Sequence, residues 1–479
     1  MRPVTRLQGM QDISQESWSQ KRKIQDLLLN LIGSYGYRCL ETPILEPTEL
    51  FLRKSGGELA SRMYSFTDPG SHSVSLRPEF TAQIMRHYLE HASEMQLPAR
   101  WQYSGPVFRY DPSHADGTGQ FTQVGAELLG SAAILADVEL LSLAASVPAH
   151  LGITGSRLEL ADLDVLHSLL DSVGLSERAQ SFIIGNVPLL KKSREAVPAV
   201  MEQAKRLNLT GLVADEENHL GQAVKELEDG QARRVLQGLL QWSASDQLGQ
   251  RNPEEVVDRL LRKVRGTDDE SSLRRGLEVA SDLAAVRGEP GPAMEAVLTV
   301  LRGAGADTTP WERLNEVLDL LLMEPGIAGN MGLDFGLVGG LAYYNGVIFE
   351  INHPQWPSGL GGGGRYDGLA RALGSPEPVP ALGFAFNLEA LEALLHLTSG
   401  PDSGGVAIPV PPGALVVAQD SSSHREALRA CRELRQQGIQ SEFDIEGRGL
   451  SEALKYAAAK GIAQVVVVDH DGQRTSHQL

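Results

Sequence analysis

The consecutive segments WQYSGPVFRY (Trp101–Tyr110), DPSHADGTGQ (Asp111–Gln120) and FTQVGAELLG (Phe121–Gly130) decide how this chain folds. The outer two read as strands. The middle one, rich in Gly, Asp, Pro and Ser, reads as a polar connecting loop. Two antiparallel strands present alternate side chains to one face, a natural way to show a small substrate several side chains at once. Upstream, SHSVSLRPEF (Ser71–Phe80) reads as a strand and TAQIMRHYLEHA (Thr81–Ala92) as a helix. Further upstream, Trp18–Gly33 places Ile24, Leu27, Leu28 and Ile32 at helical spacing on one face. Strand patterns return at LDFGLVGG (Leu333–Gly340), LAYYNGVIFEI (Leu341–Ile351) and ALGFAFNL (Ala381–Leu388), with the helical EALEALLHL after them.

The character changes between about 155 and 328. LDVLHSLLDSVGL, AVPAVMEQAKRL, ARRVLQGLLQW, EEVVDRLLRKV and MEAVLTVLRGAG are amphipathic stretches separated by polar breaks. They predict a helical insertion whose charged faces are solvated. Beyond a Gly/Pro/Ser-rich linker, strand and helix patterns alternate through ALVVAQ, HREALRACRELRQQG, SEFDI, LSEALKYAAAKG and AQVVVVD, a small α/β unit of about 65 residues. The expected organisation is a core in two parts (1–150 and 329–398), the insertion (151–328), the linker (399–413) and the C-terminal unit (414–479).

Composition narrows the function. The chain has 479 residues, of which 61 are acidic and 43 basic, a formal charge of −18. Its overall field therefore gives a polyanion no long-range steering. No apolar run reaches the roughly 20 residues needed to cross a bilayer. The opening MRPVTRLQGMQD has no apolar core of a secretory signal, and Cys39 and Cys431 form no CxxC. A cytoplasmic, reduced protein without a structural zinc is the expectation. The 12 histidines look scattered, and no zinc-ligand pair is expected among them; His114 and His353 are read as surface residues. Gly359–Gly364 formally satisfies GxGxxG, but no dinucleotide-type strand and helix flank it and no GK[ST] follows. Close backbone approach beside a binding pocket is the better account.

Taken in order, LRPEFTA (Leu76–Ala82), VFRY (Val107–Tyr110), QVGAE (Gln123–Glu127), YYNGVIFE (Tyr343–Glu350) and GGRYDGL (Gly363–Leu369) resemble the class II histidyl-tRNA synthetase core. They also resemble its non-catalytic relative, the regulatory subunit of ATP phosphoribosyltransferase. The resemblance covers residues 1 to about 150 and 330 to 479. It implies an α/β (α+β) fold: a six- to seven-stranded antiparallel sheet flanked by helices. A helical insertion and a C-terminal unit similar to the anticodon-binding domain, shortened at its end, complete it. Carried over by position, Glu79 and Thr81 would contact the α-amino group of histidine, with Gln123 and Glu127 nearby. Arg109 would face the carboxylate, and Tyr344 and Tyr366, with Tyr343, would frame the imidazole. The chemistry is apt: a zwitterion needs carboxylates for its ammonium and a guanidinium for its carboxylate, and an imidazole suits an aromatic wall with a hydroxyl.

The departures point to function. Where the family has LVRGLDYY this chain has LVGGLAYY, so the catalytic arginine falls on Gly339 and an acidic partner on Ala342. The arginine of the hairpin loop falls on Gly117, and the ATP-clamping GLER becomes Asn387-Leu-Glu-Ala390. Adenylate formation builds negative charge on phosphate, and each lost cation removes a few kcal/mol of transition-state stabilisation. The expectation is a chain with no catalytic residue, metal or cofactor: a histidine-sensing regulatory subunit of ATP phosphoribosyltransferase. It would be a homodimer within a hetero-oligomer with the catalytic subunit. The alternatives are a divergent histidyl-tRNA synthetase, and an orphan paralogue binding RNA or protein; tRNA is a less favoured partner.

Overall fold

The computed structural model describes residues 3–7, 9–53, 60–110, 119–210, 231, 234–235, 268–337, 343–398 and 413–479. His114, Gly117, Gly339, Ala342, nearly all of the linker and the stretch 254–264 lie outside them, as does all but two residues of 232–242. The chain divides into two units. The first comprises Met1–Leu163, Glu312–Leu333 and Gly339–Leu479; the second comprises Asp164–Trp311 and Asp334–Val338.

The chain's first strands are β1 (Arg38–Cys39), β2 (Leu45–Pro47), β3 (Ser65–Thr67), β4 (Ser73–Leu76), β5 (Ala99–Phe108) and β6 (Gln120–Leu129). They are followed by β7 (Arg157–Asp162), β8 (Arg287–Gly288), β9 (Met331–Asp334), β10 (Val347–Asn352), β11 (Gly361–Arg365) and β12 (Ala381–Asn387). Eight of them lie side by side in unit 1 in the order β1-β5-β6-β12-β11-β10-β7-β9. The hairpin β5–β6 is antiparallel, with Gly105 opposite Gln123 and Trp101 opposite Glu127. The sheet is wider than the expected six or seven strands and is not wholly antiparallel: β1 runs parallel to β5, and β7 parallel to β9. The reason is connectivity. Each parallel pair is joined by a long crossover, which parallel pairing requires and a tight turn cannot supply. The glycine cluster is itself the interior strand β11, between β10 and β12.

The sheet's two faces differ. One is apolar, with Val124, Ala126, Leu128, Leu382, Phe384 and Phe386 all buried. It packs against the helices Gln15–Ser34, Ile134–His150 and Leu388–Thr398. The first of these begins at Ser14, whose side chain accepts from Ser17 N–H, and it buries Ile24, Leu28 and Ile32. Each such side chain contributes about 1.5–3 kcal/mol. By register the other face carries Trp101, Tyr103, Gly105, Gln123, Gly125, Glu127, Gly383, Gly362 and Gly364. Glycines form its floor. The helix Thr81–His91 lies over its end, joining Phe80, Ile84, Met85 and Tyr88 to a core with Tyr103 and Tyr366.

His353, expected at the surface, is buried: its Nε2–H donates to Thr154 O at 2.9 Å and its Nδ1 accepts from Gln355 N–H at 3.1 Å. A histidine with both ring nitrogens partnered by the backbone satisfies its polar groups without water.

The C-terminal unit holds β13 (Ala414–Ala418), β14 (Ser441–Phe443), β15 (Gln464–Val468) and β16 (Arg474–Gln478) in the order β14-β13-β15-β16. Its first three strands in that order are parallel, with the helices His424–Gln436 and Leu450–Lys460 as crossovers. It is fastened to the main sheet by buried charge. Arg100 donates to both Glu139 oxygens (2.9 and 3.0 Å), to Glu442 (3.1 Å) and to Phe443 O (3.0 Å).

Unit 2 is helical. Helix Glu270–Ala284 packs on Glu177–Leu190, Val197–Arg206 and Pro290–Ala304 through buried Leu273, Leu277, Ile183, Val200 and Met201. Asp268 ties the start of Glu177–Leu190, accepting from Ser176 N–H at 2.9 Å and Ser176 Oγ at 2.7 Å. Among the described residues no helix is long and apolar enough to cross a membrane.

Candidate functional site

The glycine-floored face converges on one carboxylate. Glu127, projecting from β6 and almost fully buried, accepts at Oε1 from Thr81 Oγ1 (2.8 Å) and Tyr103 OH (3.1 Å). At Oε2 it accepts from Tyr366 OH at 2.5 Å. It fits because its cross-strand neighbour on β12 is Gly383, where a Cβ would stand 1.5 Å from Oε2. Burial drives its pKa up from 4.5 to about 8, and nearby Glu79 adds to that while the hydroxyl donors oppose it.

Glu79 supplies a second buried carboxylate, just ahead of the helix Thr81–His91. It accepts from Ala82 N–H at 3.2 and 3.3 Å, in the favourable field of a helix N-terminus. Burial still raises its pKa; the amides of Ala82 and Thr81 and the charge of Arg109 act the other way. Arg109, half-buried just past β5, donates Nε–H to Pro78 O at 2.9 Å, with its guanidinium 5.2 Å from the centre of the Phe121 ring. One edge of that guanidinium is thus spent on positioning.

Tyr343, Tyr344 and Tyr366 come together as an aromatic wall. Tyr343 lies edge-on to Tyr344 at 5.1 Å and to Tyr366 at 5.9 Å. Their placement is set by the GRYD segment. Asp367 N–H donates to Asn345 Oδ1 at 2.7 Å, and Arg365 clamps Asp137 Oδ1 (2.7 and 3.0 Å) and Ser131 O (3.1 Å). Arg365 is therefore scaffolding. So is Arg77 of LRPEF, which donates to Pro106 O (2.7 Å) and Thr42 O (2.9 Å) and fills the space left by Gly105. Of the eight residues expected at the site, two carry a buried polar atom without a hydrogen-bond partner: Gln123 (Oε1) and Tyr343 (OH). Orphaned polar atoms of this kind are what a polar ligand would satisfy.

Of the eight residues expected to hold an amino acid, Glu127 and Thr81 meet directly, Tyr366 joins them, and the interaction of Glu79 with Arg109 ties in that pair. Gln123 lies on the same sheet face four residues from Glu127. Two participants were missed. Tyr103 donates to Glu127, and its signal was available: it stands six residues before Arg109 at the strand's period of two. Gly383 had no such signal, since its partner across the sheet depends on strand register. At the position matching the ATP-clamping arginine, Ala390 is buried and donates its N–H to Asn387 Oδ1 at 3.1 Å. Its neighbour Glu389 is taken up by Lys21 Nζ (2.6 Å) and Thr122 N–H (2.8 Å).

The reading of the histidines as scattered is corrected here. His87 and His91 stand four residues apart on the helix Thr81–His91, with Glu90 between them. A helix brings such positions onto one face, which the linear sequence shows only when that period is applied.

The histidyl-tRNA synthetase family profile matches residues 9–289 and 270–391. The chain belongs to the histidyl-tRNA synthetase family. Among its relatives, the histidine–tRNA ligase of Methanocaldococcus jannaschii is 27% identical over 460 residues, covering 96% of this chain and 90% of that one. The histidine–tRNA ligase of Synechococcus sp. (strain CC9902) is 29% identical over 481 residues, covering 98% and 91%. An ATP phosphoribosyltransferase regulatory subunit/histidyl-tRNA synthetase from Bacillus halodurans shares the fold, with a TM-score of 0.59 at 19% identity over 98% of this chain and 99% of that one. A histidine–tRNA ligase subunit from Alicyclobacillus acidocaldarius superposes with a TM-score of 0.53 at 23% identity over 83% and 98%. The architecture is thus the class II fold of the histidyl-tRNA synthetase family.

Proposed function

We propose that this member of the histidyl-tRNA synthetase family is a non-catalytic, histidine-binding regulatory subunit of ATP phosphoribosyltransferase, working in the cytoplasm. The observation that carries the reading is a contrast between two sets of positions. The convergence of Thr81, Tyr103 and Tyr366 on Glu127 supports an amino-acid site, while a buried alanine stands where an ATP-clamping arginine is expected. Glu127 and Glu79 receive the α-ammonium, Arg109 the carboxylate, and Tyr343, Tyr344 and Tyr366 the imidazole. Binding an ammonium restores the charged state that burial disfavours in the two carboxylates. No phosphate-facing cation is supplied by Gly117, Gly339 or Ala390, so adenylate chemistry lacks its electrostatic support. Supporting the regulatory half is the similarity in fold to the Bacillus halodurans protein. The chain would dimerise and assemble with a catalytic subunit, and histidine would shift that complex toward low activity with reciprocal coupling.

The competing reading is a divergent histidine–tRNA ligase. It is favoured by the relatives of that name, which this chain matches over about nine-tenths of their length, and by the C-terminal unit. The test is calorimetric titration of the protein with L-histidine and then ATP, with and without a catalytic phosphoribosyltransferase subunit. Saturable histidine binding with no ATP binding, and co-elution with the catalytic subunit, is the expected result. Coupled binding of both ligands followed by pyrophosphate release would reinstate the ligase.

A further inference from the structure

The helix Thr81–His91 begins at the amino-acid site and ends in a cluster that site does not use. Its last residues read HYLEH, with His87, Glu90 and His91 at spacings of three and four that put them on one helix face. A potential ligand atom from each lies within 4.8 Å of the other two, and the imidazole centroids are 4.5 Å apart. This is the only cluster of three such groups among the described residues.

The histidines are prepared in a way that packing alone does not require. His91 Nδ1–H donates to His87 O at 2.9 Å, which fixes the tautomer and leaves Nε2 with its lone pair. The His87 ring is held from the side by Trp101, edge-on at 5.5 Å. Glu90 is exposed and accepts from Arg86 at 2.7 Å, while the other arm of Arg86 holds buried Glu46 at 2.7 Å. If Glu90 turns toward a cation, Arg86 keeps a buried carboxylate partner.

We propose that His87, Glu90 and His91 form a binding site for one first-row divalent transition-metal ion per chain. Two imidazoles and one carboxylate suit Zn²⁺, Ni²⁺ or Cu²⁺, with water completing the shell. Metal–ligand bonds of about 2.0–2.1 Å bring the ligand atoms to about 3.3 Å from one another. The partly exposed side chains reach that by rotamer adjustment. The ion would cross-link the last turn of the helix.

The full chain, stripped with EDTA and dialysed, is titrated calorimetrically with ZnCl2 and with NiCl2. The expected result is one saturable site per chain, with affinity falling at least about tenfold in H87Q and in H91Q and by less in E90Q. An independent readout uses unmodified protein: Zn²⁺ should protect His87 and His91 from carbethoxylation, followed by peptide mass spectrometry. No saturable binding, full affinity in the H87Q/H91Q double variant, or carbethoxylation of both histidines unchanged by Zn²⁺ overturns the site.

Discussion

Glu127 is a carboxyl kept near neutral pH by burial, and that has a consequence with a definite sign. Its pKa in the folded protein is raised from 4.5 to about 8, so folding favours the protonated form. Its contribution to stability is full below pH 4.5 and is lost as pH rises through 8. Glu79, raised for the same reason, acts in the same direction. Urea titrations across that window should therefore show a less steep loss of stability with pH in Glu127→Gln than in the wild type. A bound ammonium reverses the preference, so histidine binding at pH 7 should release on the order of one proton. Calorimetry in buffers of different ionisation enthalpy reads this directly, and zero proton release would remove Glu127 from the ammonium site. Gly383→Ala tests the same carboxylate sterically. A Cβ 1.5 Å from Glu127 Oε2 must displace it, costing about 1–3 kcal/mol of stability and weakening histidine binding by about a hundredfold, the effect of truncating a charge-assisted bond. Denaturation and calorimetry on one preparation separate the two effects.

Between elements, fixed charge locates what the chain alone leaves loose. Arg365 at the end of β11 and Asp137 in the helix Ile134–His150 are both buried and joined by two hydrogen bonds, and Arg313 adds a third to Asp137 at 2.8 Å. This cluster orients Tyr366 and Asp367, and through Asn345 the tyrosine pair at 343 and 344. Removing one member leaves an uncompensated charge in the interior. Asp137→Ala should lower stability by about 3–5 kcal/mol, measured as a drop in urea midpoint with the m-value unchanged. Part of this was legible: FTQVGAELLG was read as a strand and LRPEF as the end of one, whereas the glycine cluster, read as a close backbone approach, is strand β11. The charged partners were not legible, because nothing in the linear spacing of Arg365 and Asp137, 228 residues apart, signals a pairing.

At the scale of the whole chain, a buried guanidinium is central to the junction of the C-terminal unit, alongside surface contacts such as Lys460 Nζ to Pro98 O and Arg448 to Leu97 O. Arg100 meets Glu139 from the helix Ile134–His150 and Glu442 of β14, while Tyr456 OH donates to Glu442 at 2.8 Å and Tyr37 OH to Glu139 at 3.2 Å. Gly36 permits the approach, since a Cβ there would stand 2.1 Å from the Glu442 side chain. Arg100→Met leaves two buried carboxylates without their cation, a loss of about 3–5 kcal/mol concentrated at this junction. The expected outcome is faster tryptic release of a fragment containing residues 414–479 and a split of the thermal transition into two. A single transition at the wild-type protease rate would show that the remaining contacts hold the unit without Arg100.

Order of motifs and strand and helix periods were readable from the chain, because they are local properties of residue type and spacing, and the absence of a cation at Gly117, Gly339 and Ala390 is what the family resemblance implies. The motifs and periods pointed to the family and to the antiparallel hairpin β5–β6, and the resemblance in turn implied Glu79, Thr81, Arg109 and Glu127 as candidates. Tertiary structure alone decided that β1 pairs in parallel with β5 and β9 with β7, that His353 is interior, and that Tyr103 and Gly383 complete the setting of Glu127. It also decided that Arg77 and Arg365 are scaffold and not ligand contacts. The physical reason is register and burial: which backbone faces which, and how much water each charge loses, are set by contacts between residues far apart in the chain.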